Sequence, residues 1–276
     1  MSMQVIGSAT AADWSCFWSL AAAERWRISS VEQRLFQGAW RDCAFALRLA
    51  GDFAGFVTAV PHQRRGWIGH VLVAPQQRRR GRGRTLFVLA LQRLAEQGVE
   101  QCWLTASEQG RPLYETFGFT AVDRVERWLR PKCLATREGI ATESEPPVEA
   151  LVRADHLVWA EERTQLLAEL ARGGCFRAAA EGLLCLQQEG DFQLLGPWYA
   201  FDRCLHGQRE LLARALVGAD PERELVIDVL GSSALQALLR ERGFEPISHS
   251  LLMVRGEPVQ PAQKGLCALA SLGSIG

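Results

Sequence analysis

The stretch VLVAPQQRRRGRGRTLFVLAL, residues 71–91, decides how the rest of the chain is read. An apolar, strand-like run stops at Pro75, and Arg78, Arg79, Arg80, Arg82 and Arg84 crowd around Gly81 and Gly83. An apolar pattern of helical period then resumes. A helix start bares unpaired backbone N–H groups and a partial positive charge, which makes it a natural anion site. Glycine allows positive φ and close backbone approach, and arginine adds bidentate contacts to phosphate. The order of strand, paired glycines and helix therefore predicts a phosphate cradle.

Other readings of the loop fit less well. A dinucleotide fingerprint needs a third glycine near the position of Leu86 and an acid about twenty residues on. A P-loop needs Gly-Lys-Ser/Thr, which the chain lacks. Nucleic-acid binding would spread basic residues over a face, whereas these sit in one loop. A merely solvated basic loop is the plain alternative.

Outward from the loop, the first half alternates. Residues 14–26 have helical spacing, with Trp14, Trp18 and Leu20 toward one side. Residues 43–61 read as strand, Gly-Asp turn and strand, and 66–75 as a further strand. A helix over 84–98, a strand over 99–107, a short helix around GRPLYETFGF (110–119) and a strand over 120–131 follow. Pro112 fits only in the first turn of that short helix. The prediction is α/β, a mixed and mostly antiparallel sheet flanked by helices. Residues 132–150 lack periodicity and contain ESEPP, which marks a boundary. A second series then repeats the order: helix 157–172, three strands, helix 207–218, strand 223–231, helix 232–244 and strand 245–256. Aligning Gly118-Phe119 with Gly243-Phe244 superposes Ser107 on Ser232 and Tyr114 on Leu239. A unit this long is a duplicated domain, not a solenoid repeat. The expected division is 1–135, a linker at 136–150, and 151–276.

The 276 residues carry no net charge, yet the halves differ. Residues 1–135 hold 18 Lys plus Arg against 11 Asp plus Glu, and the remainder 13 against 20. A basic and an acidic half suggest two units docked on each other. No apolar run reaches the roughly 18 residues of a membrane span, and the opening residues lack a basic leader with an apolar block. The eight scattered cysteines (16, 43, 102, 133, 175, 185, 204 and 267) form no C-x-x-C pair, so they read as buried small hydrophobes of a cytoplasmic protein. The five histidines make no ligand set with carboxylates or cysteines, so no metal is expected.

Val73-x-Pro75-x-x-Arg78-x-x-Gly81-x-Gly83-x-x-Leu86 resembles the coenzyme A loop of the GNAT superfamily of acyltransferases, and LYETFGF (113–119) resembles its Leu-Tyr-x-x-x-Gly-Phe segment. The two motifs occur in the family's order and spacing, over a match of about residues 5–135. The second half resembles the degenerate C-terminal domain of a tandem GNAT branch. The resemblance implies acetyl-CoA, or another short acyl-CoA, as cosubstrate. It implies pyrophosphate held by Arg78, Arg79, Arg80, Gly81, Arg82, Gly83, Arg84 and Thr85, and the pantetheine arm held by the main chain of Val71, Leu72 and Val73. Ser107 stands where many members have asparagine, and would cap a helix or bond the arm. The acceptor would be a primary amine of a small molecule or protein, with no membrane partner; nucleic acid is disfavoured and a homodimer is compatible.

The implied chemistry is direct attack of an amine on a thioester. Deprotonating an amine of pKa about 10.4 at pH 7 costs roughly 4–5 kcal/mol, and protonating a thiolate of pKa about 8.5 is a smaller task. The resemblance implies Tyr114 as the acid; a packed core tyrosine is the alternative. The base is not legible. His70 lies on the strand before the loop, on the face opposite Val71 and Val73 unless a bulge intervenes, and Glu32 and Asp52 are no better placed. Trp26 and Trp67 either line an acceptor pocket or belong to the core. A non-catalytic acyl-CoA sensor is the rival from another class.

Overall fold

The computed structural model describes residues 4–132, 148–201, 204–256 and 265–275. Most of the expected linker, 136–147, lies outside them, as does Cys133, while residues 148–150 open a helix.

Local signals set the first elements. After β1 (Gln4–Ser8), the hydroxyl of Thr10 accepts from the Asp13 N–H and the Asp13 carboxylate accepts from that of Thr10, a capping box that starts α1 (Ala11–Ala23). This helix buries Asp13, Phe17 and Ala21, with Trp14, Trp18 and Leu20 on its flanks. Ser29 and Glu32 form a second box and start α2 (Ser30–Gln37), a helix to which the periodicity reading assigned no element. Antiparallel strands β2 (Ala44–Leu49), β3 (Asp52–Pro61) and β4 (Arg65–Val73) follow, then α3 (Arg82–Glu96), β5 (Gln101–Ala106), α4 (Arg111–Glu115) and β6 (Thr120–Arg130).

The second series runs α5 (Val148–Trp159), α6 (Thr164–Gly173), β7 (Gly174–Ala179), β8 (Gly182–Gln188), β9 (Phe192–Ala200), α7 (Leu205–Val217), β10 (Glu224–Leu230), α8 (Gln236–Glu241), β11 (Glu245–Arg255) and β12 (Leu266–Ala268). The single helix expected over 157–172 is instead the end of α5, a break at Ala160 with φ +48°, and α6. The break has a cause. Eight residues of continuous helix would separate Asp155 and Arg163 by about 12 Å along the axis. The turn brings them together, with Arg163 Nε 3.0 Å from Asp155 Oδ2 and the Tyr199 hydroxyl 2.5 Å from Oδ1.

The twelve strands of the described residues form one sheet, ordered β1-β2-β3-β4-β5-β11-β6-β10-β12-β9-β8-β7. Pairing is antiparallel except at β4–β5 and β9–β10. The last strand of each series crosses into the other: β11 lies between β5 and β6, and β6 lies between β11 and β10. On one face α3 and α4 cover Leu47, Val57, Ile68 and Leu104. On the other, α1, α2, α5 and α6 cover Ala46, Phe56, Trp67, Leu72 and Trp103. With both faces covered, the strands read as apolar runs more than as alternations.

Part of the charge asymmetry is met within the molecule. Glu169 pairs with Arg34 at 3.0 Å, Glu224 with Arg27 at 2.6 Å, and Asp228 with Arg127 through two bonds of 2.7 and 2.8 Å. Glu161 accepts from the N–H of Gln63 at 2.9 Å, and Glu189 from that of Ser30. The cysteine expectation holds for Cys102, Cys185 and Cys267, which are buried, but Cys16 and Cys204 are exposed. Those two lie on the outward side of α1 and just before α7.

His62, partly buried at this seam beside Trp40, has its imidazole pushed down to about 3, first by loss of water contact and then by the Arg163 cation. An unfolded histidine takes up a proton near pH 6.5 that the folded form refuses. Stability is therefore present above 6.5 and lost as pH falls toward 3. Melting temperatures measured from pH 7 to 5 are expected to fall, and His62→Gln to flatten the decline; equal slopes would refute this.

Candidate active site

The arginine loop is shaped by two left-handed residues, Arg79 with φ +57° and Gly81 with φ +75°. Gly81 is the N-cap of α3, and the first helical bond runs from the Thr85 N–H to its carbonyl at 3.0 Å. The amides of Arg82, Gly83 and Arg84 thus precede any intrahelical partner. A Cβ on Gly81 would meet open space, so the requirement there is conformational.

The five arginines divide by role. Arg78 turns back, donating to the Val73 carbonyl at 3.0 Å and to Glu24 at 2.5 Å. Arg82 donates to Gln4, and Arg84 lies over the Phe117 ring at 4.6 Å and reaches Thr116. Arg79 and Arg80 are exposed and have no side-chain partner among the described residues. Only these two are free to meet an external anion without giving up an existing contact.

This loop opens onto a parting of strands. β4 and β5 pair only at Arg65–Gln101, Gly66–Cys102 and Trp67–Trp103. Beyond that point the β5-facing edge of β4, including Val71, Leu72 and Val73, lies outside the ladder, while its other edge pairs with β3 at Leu72–Phe56 and Val73–Gly55. Unpaired strand edges offer main-chain groups to an extended ligand.

A bulge accompanies the parting. Thr58 pairs with Gly69 and Phe56 with Leu72, so His70 and Val71 together oppose Val57, and His70 takes φ +52°. Val71 and Val73 pack on the α3 face, as alternation predicts. His70 projects to the other face, among Phe17, Phe36 and Trp26 at ring distances of 5.0, 5.6 and 6.5 Å. Its side chain is fully buried, with Nδ1 3.4 Å from Thr58 Oγ1 and Nε2 3.6 Å from Glu32 Oε1. Burial holds the imidazole below its usual value, opposed by the Glu32 charge.

Tyr114 stands on α4 on the α3 face, against Phe87 at 4.8 Å and Phe119 at 6.4 Å between ring centres. Burial pushes its phenol up to about 12, so it is protonated at neutral pH. A Cβ on Gly110 would fall 2.9 Å from this ring and 3.2 Å from its oxygen, so only glycine lets the ring lie there. Ser107 caps the turn before α4, its hydroxyl accepting from the Gly110 N–H at 3.2 Å. Of the tryptophans, Trp67 is core, against Trp159 at 6.0 Å, whereas Trp26 is 39% exposed. Asp52 lies exposed at the β2–β3 turn, away from these groups.

Sequence reasoning missed the C-terminal segment entirely. β12 enters the second parting of strands, pairing with β9 and β10. The chain then continues to the first: the Leu272 carbonyl accepts from Thr105 Oγ1, and a Cβ on Gly69 would lie 2.6 Å from the Gly273 oxygen. Ser271 and Ser274 donate to Glu32 at 2.8 and 2.6 Å. Nothing in the period of residues 265–275 signals this placement. The Glu32 half was legible, because Ser-x-x-Glu at 29–32 is a helix-start pattern.

The acetyltransferase (GNAT) family profile matches residues 10–119. No curated protein sequence matches the chain. Among solved structures, a candidate acetyltransferase of Pyrococcus horikoshii is 20% identical with a TM-score of 0.76, over 99% of this chain and 94% of that one. A GCN5-related N-acetyltransferase of Sphaerobacter thermophilus is 15% identical with a TM-score of 0.65, over 91% and 95%. At these identities the two structures speak for the fold, and the profile for the family. The family match covers residues 10–119, and it identifies a GNAT-type acetyltransferase domain in that part of the chain.

Proposed function

We propose that the chain transfers an acetyl or other short acyl group from acyl-coenzyme A to a primary amine of a small molecule or protein, by direct attack. The observation that carries this reading is the bare-amide start of α3 opening beside the strand edge of Val71–Val73. A diphosphate fits the first, with Arg79 and Arg80 free to add charge, and an amide-bearing arm fits the second. Tyr114 then lies on the face from which the thiolate departs. A phenol at about 12 handing its proton outright to the thiolate of a thiol of pKa about 8.5 would climb about 5 kcal/mol. Tyr114 therefore stabilises the sulfur's developing charge by donating a hydrogen bond.

The second half is proposed to be a degenerate copy that binds no coenzyme A. Its helix start, at Leu205, lacks paired glycines, and Leu239 stands buried where the alignment puts Tyr114. Its strand parting is filled by β12.

Calorimetry with coenzyme A and acetyl-CoA tests the donor site: saturable heat is expected, and its absence would end the reading. Thiol release with a panel of amines tests transfer, and binding without any turnover would favour a sensor. Tyr114→Phe is expected to lower turnover about ten- to a hundredfold with donor affinity retained. Unchanged turnover at saturating donor would remove the phenol from the mechanism.

A further inference from the structure

The parting of β4 and β5 is covered on the face opposite Tyr114, and the cover is the segment that follows β12. We propose that residues 271–275 are a displaceable strap, latched to Glu32 by Ser271 and Ser274, which shuts the acceptor side of that parting until it lifts. This rests on the acyltransferase reading above, which puts the thioester between those two strands.

One stretch of chain serves both partings of the sheet, and it does so in two ways. At the second parting it enters as a strand. Ala268 pairs with Val229 of β10 and with Trp198 of β9, and the Leu269 N–H donates to the Asp228 carbonyl at 3.0 Å. Gly196 admits it, since a Cβ there would collide with the Leu269 oxygen. At the first parting a glycine again admits it: a Cβ on Gly69 would lie 2.6 Å from the Gly273 oxygen and 2.7 Å from Ser274 Cβ. Here, however, the ladder is missing. Among the described residues, the main chain of 271–275 makes no backbone–backbone hydrogen bond.

What holds 271–275 is a set of side-chain bonds. Thr105 Oγ1 donates to the Leu272 carbonyl, and the Gly273 N–H donates to Ser271 Oγ at 3.0 Å. Ser271 and Ser274 donate to the two oxygens of Glu32 at 2.8 and 2.6 Å. A segment held this way can open locally while the strand before it stays paired. β12 is then the anchor, and the two serines are the latch.

The segment also lies in the right place to act as a gate. The last β4–β5 pair is Trp67–Trp103. Gly69 and Thr105 are the next residues on the same face, two beyond that pair on each strand, and they are the two that the segment touches. With Ser271 and Ser274 at most 1% exposed, the seat is fully occupied. An amine coming from this face therefore meets the strap before it meets a thioester. The opposite face is closed by α3 and α4.

Ser271→Ala/Ser274→Ala removes the latch and leaves the main chain of the strap unchanged. Thiol release from saturating acetyl-CoA is measured with two probes, benzylamine and the much smaller hydroxylamine. The variant is expected to raise kcat/KM for benzylamine about tenfold, because a larger fraction of molecules is open. The gain for hydroxylamine is expected to be smaller, and acetyl-CoA affinity by calorimetry to stay within twofold of the intact chain. Hydrogen exchange is expected to quicken at 271–275 while β12 stays protected, which separates a lifted strap from an unfolded chain. Gly69→Ala, which presses on the strap from the β4 side, is expected to act in the same direction, and it decides the matter if the double variant loses protection at β12. Turnover of benzylamine that is unchanged or lower in a variant with β12 intact would overturn the proposal, because the segment would then be a fixed wall. Absence of donor binding, or of thiol release with either probe in every chain, would overturn the acyltransferase reading itself.

Discussion

A chain ending at residue 146 is expected not to fold. Such a truncation cuts where the sequence shows its best boundary, yet it removes β11, which pairs with β6 over nine positions and with β5 over five. It also removes β10, the other neighbour of β6. β6 would be left with no partner on either edge, and β5 with three parallel pairs to β4. Leu252, Met253 and Val254 leave the two clusters that flank the first half of the sheet, and all three are at most 4% exposed. Exposed unpaired edges lead to aggregation more readily than to a smaller native state. The fragment is expected in the insoluble fraction, without a cooperative transition on heating. A soluble fragment with a sharp melt and retained acetyl-CoA binding would show that the strand exchange is dispensable.

The second large effect is expected at the break between α5 and α6. Asp155 is fully buried; it pairs with Arg163, whose side chain is 2% exposed, and accepts from the Tyr199 hydroxyl. Burial works against the Arg163 charge, but the adjoining carboxylate more than offsets it and holds the guanidinium above its ordinary value. Asp155→Ala removes the carboxylate that offsets the burial of that cation and takes from the hydroxyl its acceptor. Breaking a buried pair from one side costs about 3–5 kcal/mol. Replacing both partners with apolar residues, as in Asp155→Leu/Arg163→Met, is expected to cost less than the single change, because no charge remains to be buried. Urea unfolding of the three proteins measures both. A loss under about 1 kcal/mol for Asp155→Ala would mean that Arg163 finds water or another anion.

The loop and the helix of Tyr114 were readable because their chemistry is local. Two glycines at a strand-to-helix turn need no distant partner, and Gly110 with Pro112 fixes the start of α4 within a few residues. The strand exchange was not readable. β6 and β11 are each eleven residues long and lie 125 positions apart in register with the repeat, so either pairing satisfies the pattern. The His70 environment was hidden for a related reason: alternation gave its face, but the bulge, Glu32 and the serines come from four separate elements. The α5–α6 break failed differently. Residues 157–172 carry helical periodicity throughout, and a buried ion pair overrides it.

The exchange of β6 and β11 also sets an order of events at the ribosome. Synthesis completes β6 at residue 130 and begins β11 at residue 245. At about 5–20 residues per second, the nascent polypeptide waits on the order of ten seconds with two ladders unmade. Through that interval the edge of β5 that β11 will take has no partner strand. A product interrupted before β11 would lack both of these ladders and stay open to proteases.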